Sequence, residues 1–292
     1  RHDAEEQGDA VHVGVSGGDI PTPTPREGPD RSHEFRISAA YPGCVTGDAR
    51  YDRFGWDYAR FNPLEDRALR WYRRHARETG GPILELACGT GRLLAALATD
   101  GHEVVGLDRS ETMLRQAQRH LGSAGTVVQG DMRAFDLDRR FALAIVADNS
   151  LREIESEAGI LECLGCVRRH LRPEGRLLVT ERRFDPARYP DGVSEHPWSP
   201  AGADPATGEA LERRVRVRLD TDHRRLHGTM TYRVVGAAEE VELPFDSLVL
   251  HPEDYRRLFR TAGFDCELFV GYEARADDGA DPFLCFVCTA AR

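Results

Sequence analysis

The sequence has no lysine: arginine supplies all 39 basic residues, against 49 aspartates and glutamates. The absence of lysine excludes enzymes that work through a lysine Schiff base, pyridoxal-phosphate enzymes among them. It also excludes the Tyr-x-x-x-Lys pair that an NAD(P)-dependent oxidoreductase could use. The net charge of −10 disfavours a nucleic-acid substrate, because binding phosphate backbones requires a basic surface.

Long apolar runs are also missing. No run reaches the ~18 residues that a membrane-spanning helix needs, and the first residues lack the apolar core of a signal peptide. The seven cysteines, an odd number in a chain of this length, fit a reducing compartment better than a disulfide framework. We therefore expect a cytoplasmic protein without a membrane contact.

Two CxxC pairs raise the question of a zinc site. Cys163 and Cys166 lie in a helical pattern. Cys285 and Cys288 lie in a strand pattern, where residues three apart point to opposite faces. We interpret the four as buried free thiols, and we predict no metal site.

The stretch Ile83–Arg92 predicts a strand, a tight glycine turn and the start of a helix, which is the first βα unit of a doubly wound sheet. Its glycines let the backbone approach a ligand closely, and the free N–H groups of the helix start face that ligand. The apolar run Val104–Leu107 then ends in Asp108, whose carboxylate is placed to bond both ribose hydroxyls of an adenosine ligand. Leu94 stands where a dinucleotide-binding fingerprint has its third small residue, which argues against NAD.

Further apolar runs alternate with helical patterns, as expected of a parallel sheet. The predicted strands are 104–107, 126–129, 141–147 and 176–180. Polar residues follow the strand 141–147 at its C-terminal tip, where open α/β sheets bind their ligands. Asp148 and Asn149 are therefore candidates for the reaction centre, and the alternative for Asn149 is a bond to local backbone.

The alternation stops after Glu181. Residues 184–210, rich in proline and aromatic residues, are interpreted as a long ordered loop. Period-two alternation then predicts antiparallel strands with one wet face. The alternating segments are 213–219, 227–235 and 241–250. We interpret 184–250 as an insertion that caps the ligand edge of the sheet.

Three spaced motifs carry a family resemblance: Glu85–Gly91 (ELACGTG), Asp108 and Gly130–Met132. Together they resemble the class I S-adenosylmethionine-dependent methyltransferases, over about residues 50–292. The resemblance implies the fold class α/β with a doubly wound, seven-stranded, mostly parallel sheet (the Rossmann-like methyltransferase fold) that ends in an antiparallel hairpin. It also implies S-adenosyl-L-methionine as the cofactor, in the branch that contains metabolite-tailoring and glycine N-methyltransferase-like members.

With this resemblance, the chain divides into four parts. Residues 1–40, rich in Gly, Pro, Asp and Glu, predict a flexible N-terminal tail. Residues 41–183 are expected to contain lid helices and the cofactor-binding α/β core. Residues 184–250 are the antiparallel β insertion that forms the acceptor lid, and 251–292 are the C-terminal part of the core.

The resemblance also implies which residues contact the cofactor. Gly89 and Gly91 are expected against its methionine part, Asp108 at the ribose, and Asp131 with Met132 at the adenine. For Asp131 the alternative is a turn aspartate. The remaining residues expected at the cofactor are Tyr51, Tyr58, Glu85, Ala87, Cys88, Arg109, Met113, Asp148 and Asn149. The two tyrosines resemble family residues that reach the methionine end, and the alternative is that their rings only pack.

The methyl sulfonium is itself a strong electrophile, so the protein mainly has to align nucleophile, methyl carbon and sulfur. A base is needed only where the acceptor arrives protonated. Candidate bases in the sequence are His196, His251, Glu181 and Tyr189. The alternatives are that His251 only begins a helix and that His196 lies on a loop without a catalytic role.

We therefore predict an S-adenosylmethionine-dependent methyltransferase that transfers a methyl group to N or O of a small-molecule metabolite by in-line displacement. In small-molecule members of the family, comparable insertions shape the acceptor pocket or a dimer contact, so a homodimer is one expectation. Two alternatives stay open. One is an NAD(P)-dependent oxidoreductase built on the same strand-turn-helix, and the other is a non-catalytic protein that retains the cofactor site.

Overall fold

The structure, a computed structural model, describes residues 64–203, 208–238, 240–273 and 281–291. Tyr51 and Tyr58, which the sequence places at the cofactor, lie outside the described residues, as does the segment 1–40. The helices are α1 (Asp66–Thr79), α2 (Arg92–Thr99), α3 (Glu111–Leu121), α4 (Glu157–His170) and α5 (Pro252–Thr261). Short 3₁₀ turns follow at Ser150–Glu153, Pro186–Arg188 and Pro190–Gly192.

Eleven strands lie within the described residues, in two sheets. The first five are β1 (Ile83–Leu86), β2 (Val104–Asp108), β3 (Gly125–Gln129), β4 (Phe141–Val146) and β5 (Leu171–Arg182). The next four are β6 (Val193–Ala203), β7 (Ala210–Asp220), β8 (Arg225–Val234) and β9 (Val241–Leu248). The last two are β10 (Phe264–Val270) and β11 (Phe283–Ala290).

The larger sheet has seven strands in the order β10-β11-β5-β4-β1-β2-β3. Strands β1 to β5 pair in parallel, whereas β10 and β11 form an antiparallel hairpin against β5. The strand order reverses between β1 and β4, and parallel sheets bind ligands at such a reversal. The predicted fold class, including the terminal hairpin, is confirmed.

Helices cover both faces of this sheet, and the strand residues are assigned to the two faces in alternation. Helices α1, α2 and α3 pack on one face, where Ile83 belongs to their apolar cluster. Helices α4 and α5 pack on the other face, with the neighbouring residue Leu84. Every residue of β1, β2 and β4 is buried, which explains their continuous apolar runs, since a sheet covered on both faces has no wet side.

Strand β5 begins before the predicted strand 176–180 and includes Pro173–Gly175. Phe141 pairs with Leu171 and Leu143 with Arg176, so extra residues of β5 are looped out of the pairing with β4. The Pro and Gly residues therefore mark an irregularity of the strand, because neither supports a regular ladder at that point.

The smaller sheet is antiparallel, in the order β6-β7-β8-β9. Three of its strands correspond to the predicted alternating segments. The prediction that 184–210 is a loop without strands is wrong, because β6 occupies Val193–Ala203. Pro197 and Pro200 are tolerated there because β6 is an edge strand, paired only with β7, and its register shifts beside both prolines.

The prediction that Cys288 is a free thiol is also wrong. Cys266 and Cys288 face each other across the β10–β11 pair and form a disulfide, with their Cα atoms 4.0 Å apart. The expectation that Cys285 and Cys288 point to opposite faces is confirmed, because they belong to the apolar clusters on opposite sides of the sheet. Cys88, Cys163, Cys166 and Cys285 are buried free thiols.

None of the helices within the described ranges combines the length and apolar character needed to cross a bilayer.

The turn after β1 depends on a glycine at position 91. Gly91 caps α2 with φ +72°, and a Cβ placed there would lie 2.8 Å from Ala117 Cβ in α3. We expect Gly91→Ala to reduce the free energy of unfolding by about 2–4 kcal/mol, through positive φ and overpacking together. Urea denaturation measures this difference.

Gly101→Ala is the matched control, because Gly101 also has positive φ (+90°) but a Cβ there would meet nothing within 4 Å. Gly101→Ala should reduce the free energy of unfolding by only about 1 kcal/mol, the part that comes from the positive φ. Equal losses in the two variants would contradict the close packing of α2 on α3.

Candidate active site

A cavity of about 980 Å³ lies between the carboxyl edge of the parallel sheet and one face of the antiparallel sheet. The loops after β1, β2, β3 and β4 form its floor, and β7, β8 and β9 form its roof. Ligand pockets commonly have volumes of roughly 300–1,000 Å³. The cavity therefore has room for more than one small molecule.

The floor begins with the turn after β1, where Ala87 and Gly89 line the cavity. Both have positive φ, +51° and +53°. The conformation is unusual for Ala87 and costs of order 1 kcal/mol or more, so the surrounding structure must hold it. It leaves the backbone of the turn exposed to the cavity without a long side chain in between.

Asp108, at the tip of β2, fixes this turn. Its Oδ2 accepts the N–H of Gly89 at 2.8 Å, and its Oδ1 accepts the N–H of Ser110 at 2.9 Å. The side chain lines the cavity although the residue is only 9% exposed. Burial raises the pKa of Asp108 to about 6, and the two N–H bonds oppose that rise. Each carboxylate oxygen retains a lone pair for a further donor from the cavity.

The tip of β3 supplies Asp131, Met132 and Arg133 to the cavity wall. Asp131 is bridged by the Arg133 guanidinium, with 2.6 Å between Nη2 and Oδ2, and its Oδ1 accepts the Arg133 backbone N–H at 2.8 Å. Burial opposes the charged form of Asp131, but the bonds from Arg133 outweigh it and lower the pKa of that carboxyl. Asp131 is therefore held as a charged acceptor beside the Met132 side chain.

The tip of β4 is the most strained part of the floor. Asp148 and Asn149 are consecutive residues with positive φ, +57° and +71°. The Thr180 hydroxyl oxygen accepts the Asp148 N–H at 3.1 Å and lies 2.6 Å from the Tyr72 hydroxyl. Asp148 and Ser150 line the cavity. Strained non-glycine residues of this kind cluster at functional sites.

The roof is the polar face of the antiparallel sheet. The side chains that share this face include Arg216 and Arg218 of β7, Arg225 and His227 of β8, and Glu242 and Asp246 of β9. The opposite face is apolar and packs with Phe184 and Tyr189. The predicted wet face of the insertion is thus turned toward the sheet's ligand edge.

Comparison with known proteins supports the interpretation of the carboxyl edge of the parallel sheet as the ligand edge. The profile of a methyltransferase domain matches residues 83–175, from β1 into β5. The putative methyltransferase YqeM of Bacillus subtilis is 37% identical over 116 residues, which are 39% of this chain and 47% of that protein. The chain therefore spans about half the length of this relative.

Longer matches come from enzymes with named substrates. The dTDP-3-amino-3,6-dideoxy-alpha-D-glucopyranose N,N-dimethyltransferase of Streptomyces fradiae is 29% identical over 202 residues, covering 68% of this chain and 75% of that protein. CalS10, an amino pentose methyltransferase of Micromonospora echinaspora solved with S-adenosylmethionine bound, aligns with a TM-score of 0.61 at 25% identity. That alignment covers 75% of this chain and 87% of CalS10.

Residues 83–175 form a methyltransferase domain of the class I S-adenosylmethionine-dependent type. S-adenosylmethionine is its cofactor, and the floor of the cavity fits this molecule chemically. The buried carboxylate of Asp108 offers acceptors for ribose hydroxyls, and the open backbone at Ala87 and Gly89 admits a close ligand.

The structure brings part of the predicted cofactor set together in this methyltransferase. Eight of its residues line the cavity: Ala87, Gly89, Asp108, Arg109, Met113, Asp131, Met132 and Asp148. They come from the segments that follow four strands far apart in sequence, and the parallel sheet gathers them at one edge.

Other residues of the predicted set do not reach the cavity. The Cys88 sulfur packs on Gly106, where an added Cβ would lie 2.7 Å from it. Gly91 faces Ala117 and donates its N–H to the Cys88 carbonyl at 2.9 Å. Both are positioned by packing between β2, α2 and α3, and their contact with the cofactor stays a prediction.

Asn149 and Glu85 also lie away from the cavity lining. The Asn149 side-chain oxygen accepts the backbone N–H of Arg182 at 2.6 Å, a bond to the end of β5 rather than to local backbone. Glu85 is buried within β1, and its Oε2 has no hydrogen-bond partner among the described residues. Burial raises the pKa of Glu85 to about 8. Glu85 is therefore mostly protonated at neutral pH, beneath the turn that it supports.

None of the four predicted bases lines the cavity. His196 is on the edge strand β6, where its Nε2 lies 3.5 Å from Arg188 Nη2. His251 forms the capping box of α5, so the alternative that it begins a helix is the correct one. The Tyr189 ring stacks on Phe184 on the apolar side of the antiparallel sheet.

Glu181 is buried in β5, beside the Tyr255 hydroxyl and 3.9 Å from Arg152 Nε. Burial raises its pKa to about 7. Its carboxyl lies in the interior of the methyltransferase rather than at the cavity. Burial on both faces of β5 explains why this polar residue does not reach a ligand.

Sequence reasoning missed His227 and Asp246, both of which line the cavity. Period-two alternation was visible in both β8 and β9 and could have placed these two residues on the polar face. Arg152 and Glu153 are directed differently: Arg152 lies near Glu181, and Glu153 lines the cavity.

We expect Asp108→Ala to weaken S-adenosylhomocysteine binding by about 1–3 kcal/mol, because the ribose loses its hydrogen-bond acceptors. Isothermal titration measures the affinity, and near-ultraviolet circular dichroism confirms the fold. Asp100→Ala is the control, since Asp100 lies at the end of α2 and pairs with Arg73 instead. Unchanged affinity in folded Asp108→Ala would contradict a ribose contact.

The raised pKa of Asp108 also predicts a pH dependence of binding. Two hydroxyl donors favour the ionised carboxylate, so binding should weaken as pH falls through about 6, the pKa in the free protein. In Asp108→Asn this acidic loss should disappear. A wild-type affinity that stays constant from pH 7.5 to pH 5 would argue against the assignment.

The buried Glu85 predicts a pH dependence of stability. Its folded pKa of about 8 exceeds the usual glutamate pKa of 4.5, so its contribution to stability is complete below the unfolded pKa and is lost as pH rises toward 8. Between pH 6 and 8.5, wild-type protein should lose about 2 kcal/mol of unfolding free energy relative to Glu85→Gln. Urea unfolding at both pH values measures this, and parallel losses in the two proteins would contradict it.

Proposed function

We propose that this methyltransferase transfers the methyl group of S-adenosylmethionine to an amine nitrogen of a small molecule, in the class of amino sugars. The observation that carries the proposal is the charge of the cavity. Among the described residues that line it, seven carboxylates face five guanidinium groups. An acidic cavity attracts an acceptor that carries an ammonium group.

The relatives support the same class of acceptor. The Streptomyces fradiae relative is named for N,N-dimethylation of an amino sugar linked to dTDP, and CalS10 is named for methylation of an amino pentose. A dTDP-3-amino-3,4,6-trideoxy-alpha-D-glucopyranose N,N-dimethyltransferase of Streptomyces venezuelae matches over 77% of its length. These names suggest N-methylation rather than O-methylation for this chain.

Residues of the floor would hold the cofactor. We assign the ribose to Asp108, the methionine part to the turn at Ala87 and Gly89, and the adenine to the neighbourhood of Asp131 and Met132. Asp148, at the tip of β4, would lie at the reacting end. The cofactor supplies an electrophilic methyl group when bound. The contribution of the chain is orientation, which can lower a barrier by roughly 7 kcal/mol or more.

The roof would hold the acceptor. It closes the cavity opposite the floor, and its face is polar, as an amino sugar with several hydroxyl groups requires. An ammonium nitrogen has no lone pair, so the acceptor must lose a proton before it attacks the methyl carbon. The site therefore needs a proton acceptor near the roof.

The oxidoreductase alternative is not favoured, since the matched family and relatives are methyltransferases. We retain the cytoplasm as the expected location, with the Cys266–Cys288 disulfide as the observation against it. A homodimer and the exclusion of nucleic acid remain parts of this proposal.

The test compares two acceptors that differ in one group. We expect dTDP-3-amino-3,6-dideoxy-α-D-glucopyranose, with S-adenosylmethionine, to yield S-adenosylhomocysteine and a product heavier by one methyl group. The matched control, dTDP-6-deoxy-α-D-glucopyranose, has a hydroxyl in place of the amine and should give no product. Mass spectrometry measures both.

The specificity for nitrogen would be contradicted if the hydroxyl sugar were methylated and the amino sugar were not. The substrate class would be contradicted if a panel of amino sugars, free and nucleotide-linked, gave no methylated product while a phenol or alcohol did.

A further inference from the structure

The roof of the cavity contains a histidine–aspartate pair that the cofactor does not need. We propose that His227, oriented by Asp246, accepts the proton that the acceptor loses on methylation. The inference rests on the proposed function, since it assigns a role within the same site. It concerns two residues of β8 and β9 that the sequence patterns did not single out.

The geometry of the pair is that of an oriented imidazole. His227 and Asp246 face each other in the β8–β9 register. The distance from His227 Nδ1 to Asp246 Oδ2 is 2.6 Å. A carboxylate that accepts Nδ1–H fixes the tautomer in which Nε2 is the proton acceptor. Asp246 is held in turn by Arg225, whose Nε donates to its Oδ1 at 2.5 Å.

The pair lines the same cavity as Asp148, which we assign to the reacting end of the floor. Arg225 also donates from Nη1 to the Glu155 carbonyl oxygen at 2.7 Å, which joins β8 to the loop after β4. His227 lies two residues further on the same face of β8, about 7 Å along the strand. Asp148 and Ser150, at the start of that loop, line the same cavity as His227.

The charges around His227 come from several elements. Asp220 of β7 has its Oδ2 3.8 Å from His227 Nε2, and Arg218 is the register partner on β7. Asp246 comes from β9. Glu153 and Glu155 of the loop after β4 line the same cavity. The carboxylates of Asp220 and Asp246 thus lie beside the two ring nitrogens of His227.

His227 is accessible to a ligand as well as oriented. Its side chain is 37% exposed, and that exposure is toward the cavity. The other two histidines considered for this role are an edge-strand residue, His196, and a helix cap, His251. Among the described histidines, His227 lines the cavity and the others do not.

The proton step balances as follows. His227 Nε2 takes a proton from the acceptor ammonium, which leaves a nitrogen lone pair. That lone pair forms the new N–C bond to the methyl carbon while the C–S bond breaks. The electron pair of the C–S bond stays on sulfur. The products are the N-methylated acceptor, S-adenosylhomocysteine and His227 imidazolium, which releases its proton to solvent.

His227→Gln tests the proposal, with dTDP-3-amino-3,6-dideoxy-α-D-glucopyranose as the acceptor. We expect kcat to fall about 100-fold or more near neutral pH, as is usual for loss of a positioned base. The loss should shrink as pH rises and the free amine becomes abundant in solution. The dissociation constant of S-adenosylhomocysteine should stay within twofold of wild type.

Two further variants sharpen the result. His223→Gln is the matched control, since His223 is highly exposed, also contacts Asp220 and does not line the cavity. It should retain wild-type kcat. Asp246→Asn should displace the acidic limb of the profile of kcat against pH. It should also change the His227 tautomer, which ¹⁵N-histidine NMR measures in the absence of a methyl acceptor.

Wild-type kcat in His227→Gln across the pH range would overturn the proposal. A loss of activity matched by an equal loss of cofactor affinity would overturn it too, because it would place His227 in cofactor binding. If the wild-type enzyme methylates only alcohols, the amine acceptor fails, and the same comparison still decides the role of His227, since an alcohol must also lose a proton.

Discussion

Asp108 accepts the backbone N–H groups of Gly89 and Ser110, and this pair of bonds ties together three elements that meet at the floor of the cavity. The turn after β1, the tip of β2 and the start of α3 are held in one arrangement by a single carboxylate. The same carboxylate faces the cavity, where a ribose would bind. Its burial is costly, as the raised pKa shows, and the surrounding packing has to offset that cost. The close contact of Gly91 with Ala117 contributes to this packing.

Several unfavourable features gather at the same edge. Ala87, Asp148 and Asn149 have positive φ, and Glu85 carries a buried carboxyl with an unsatisfied oxygen. A sheet covered by helices on both faces can hold such features, since its strands are fixed along their whole length. Local strain and buried charge of this kind are expected where a ligand must meet backbone and side chains in a set geometry.

The antiparallel sheet has two faces with different tasks. Its apolar face packs with Phe184 and Tyr189, and its polar face forms the roof. The Arg225 contacts with Glu155 and Asp246 join that roof to the loop after β4. In the proposed function, the acceptor side of the site is built from the antiparallel sheet, whereas the cofactor side is built from the parallel sheet.

The sequence by itself determined the parallel sheet, the glycine turn and Asp108, because these depend on local patterns: apolar runs, glycine spacing and a carboxylate at a strand tip. It also determined the alternation that gives the insertion a polar face. Only the tertiary structure decided which polar residues of that face meet the cavity, and that His227 stands opposite Asp246. Strand register and the packing of one sheet over another are long-range properties, and no short stretch of sequence encodes them. For the same reason the pairing of Cys266 with Cys288, and the placement of Glu181, Tyr189 and His251 away from the cavity lining, followed from the fold alone.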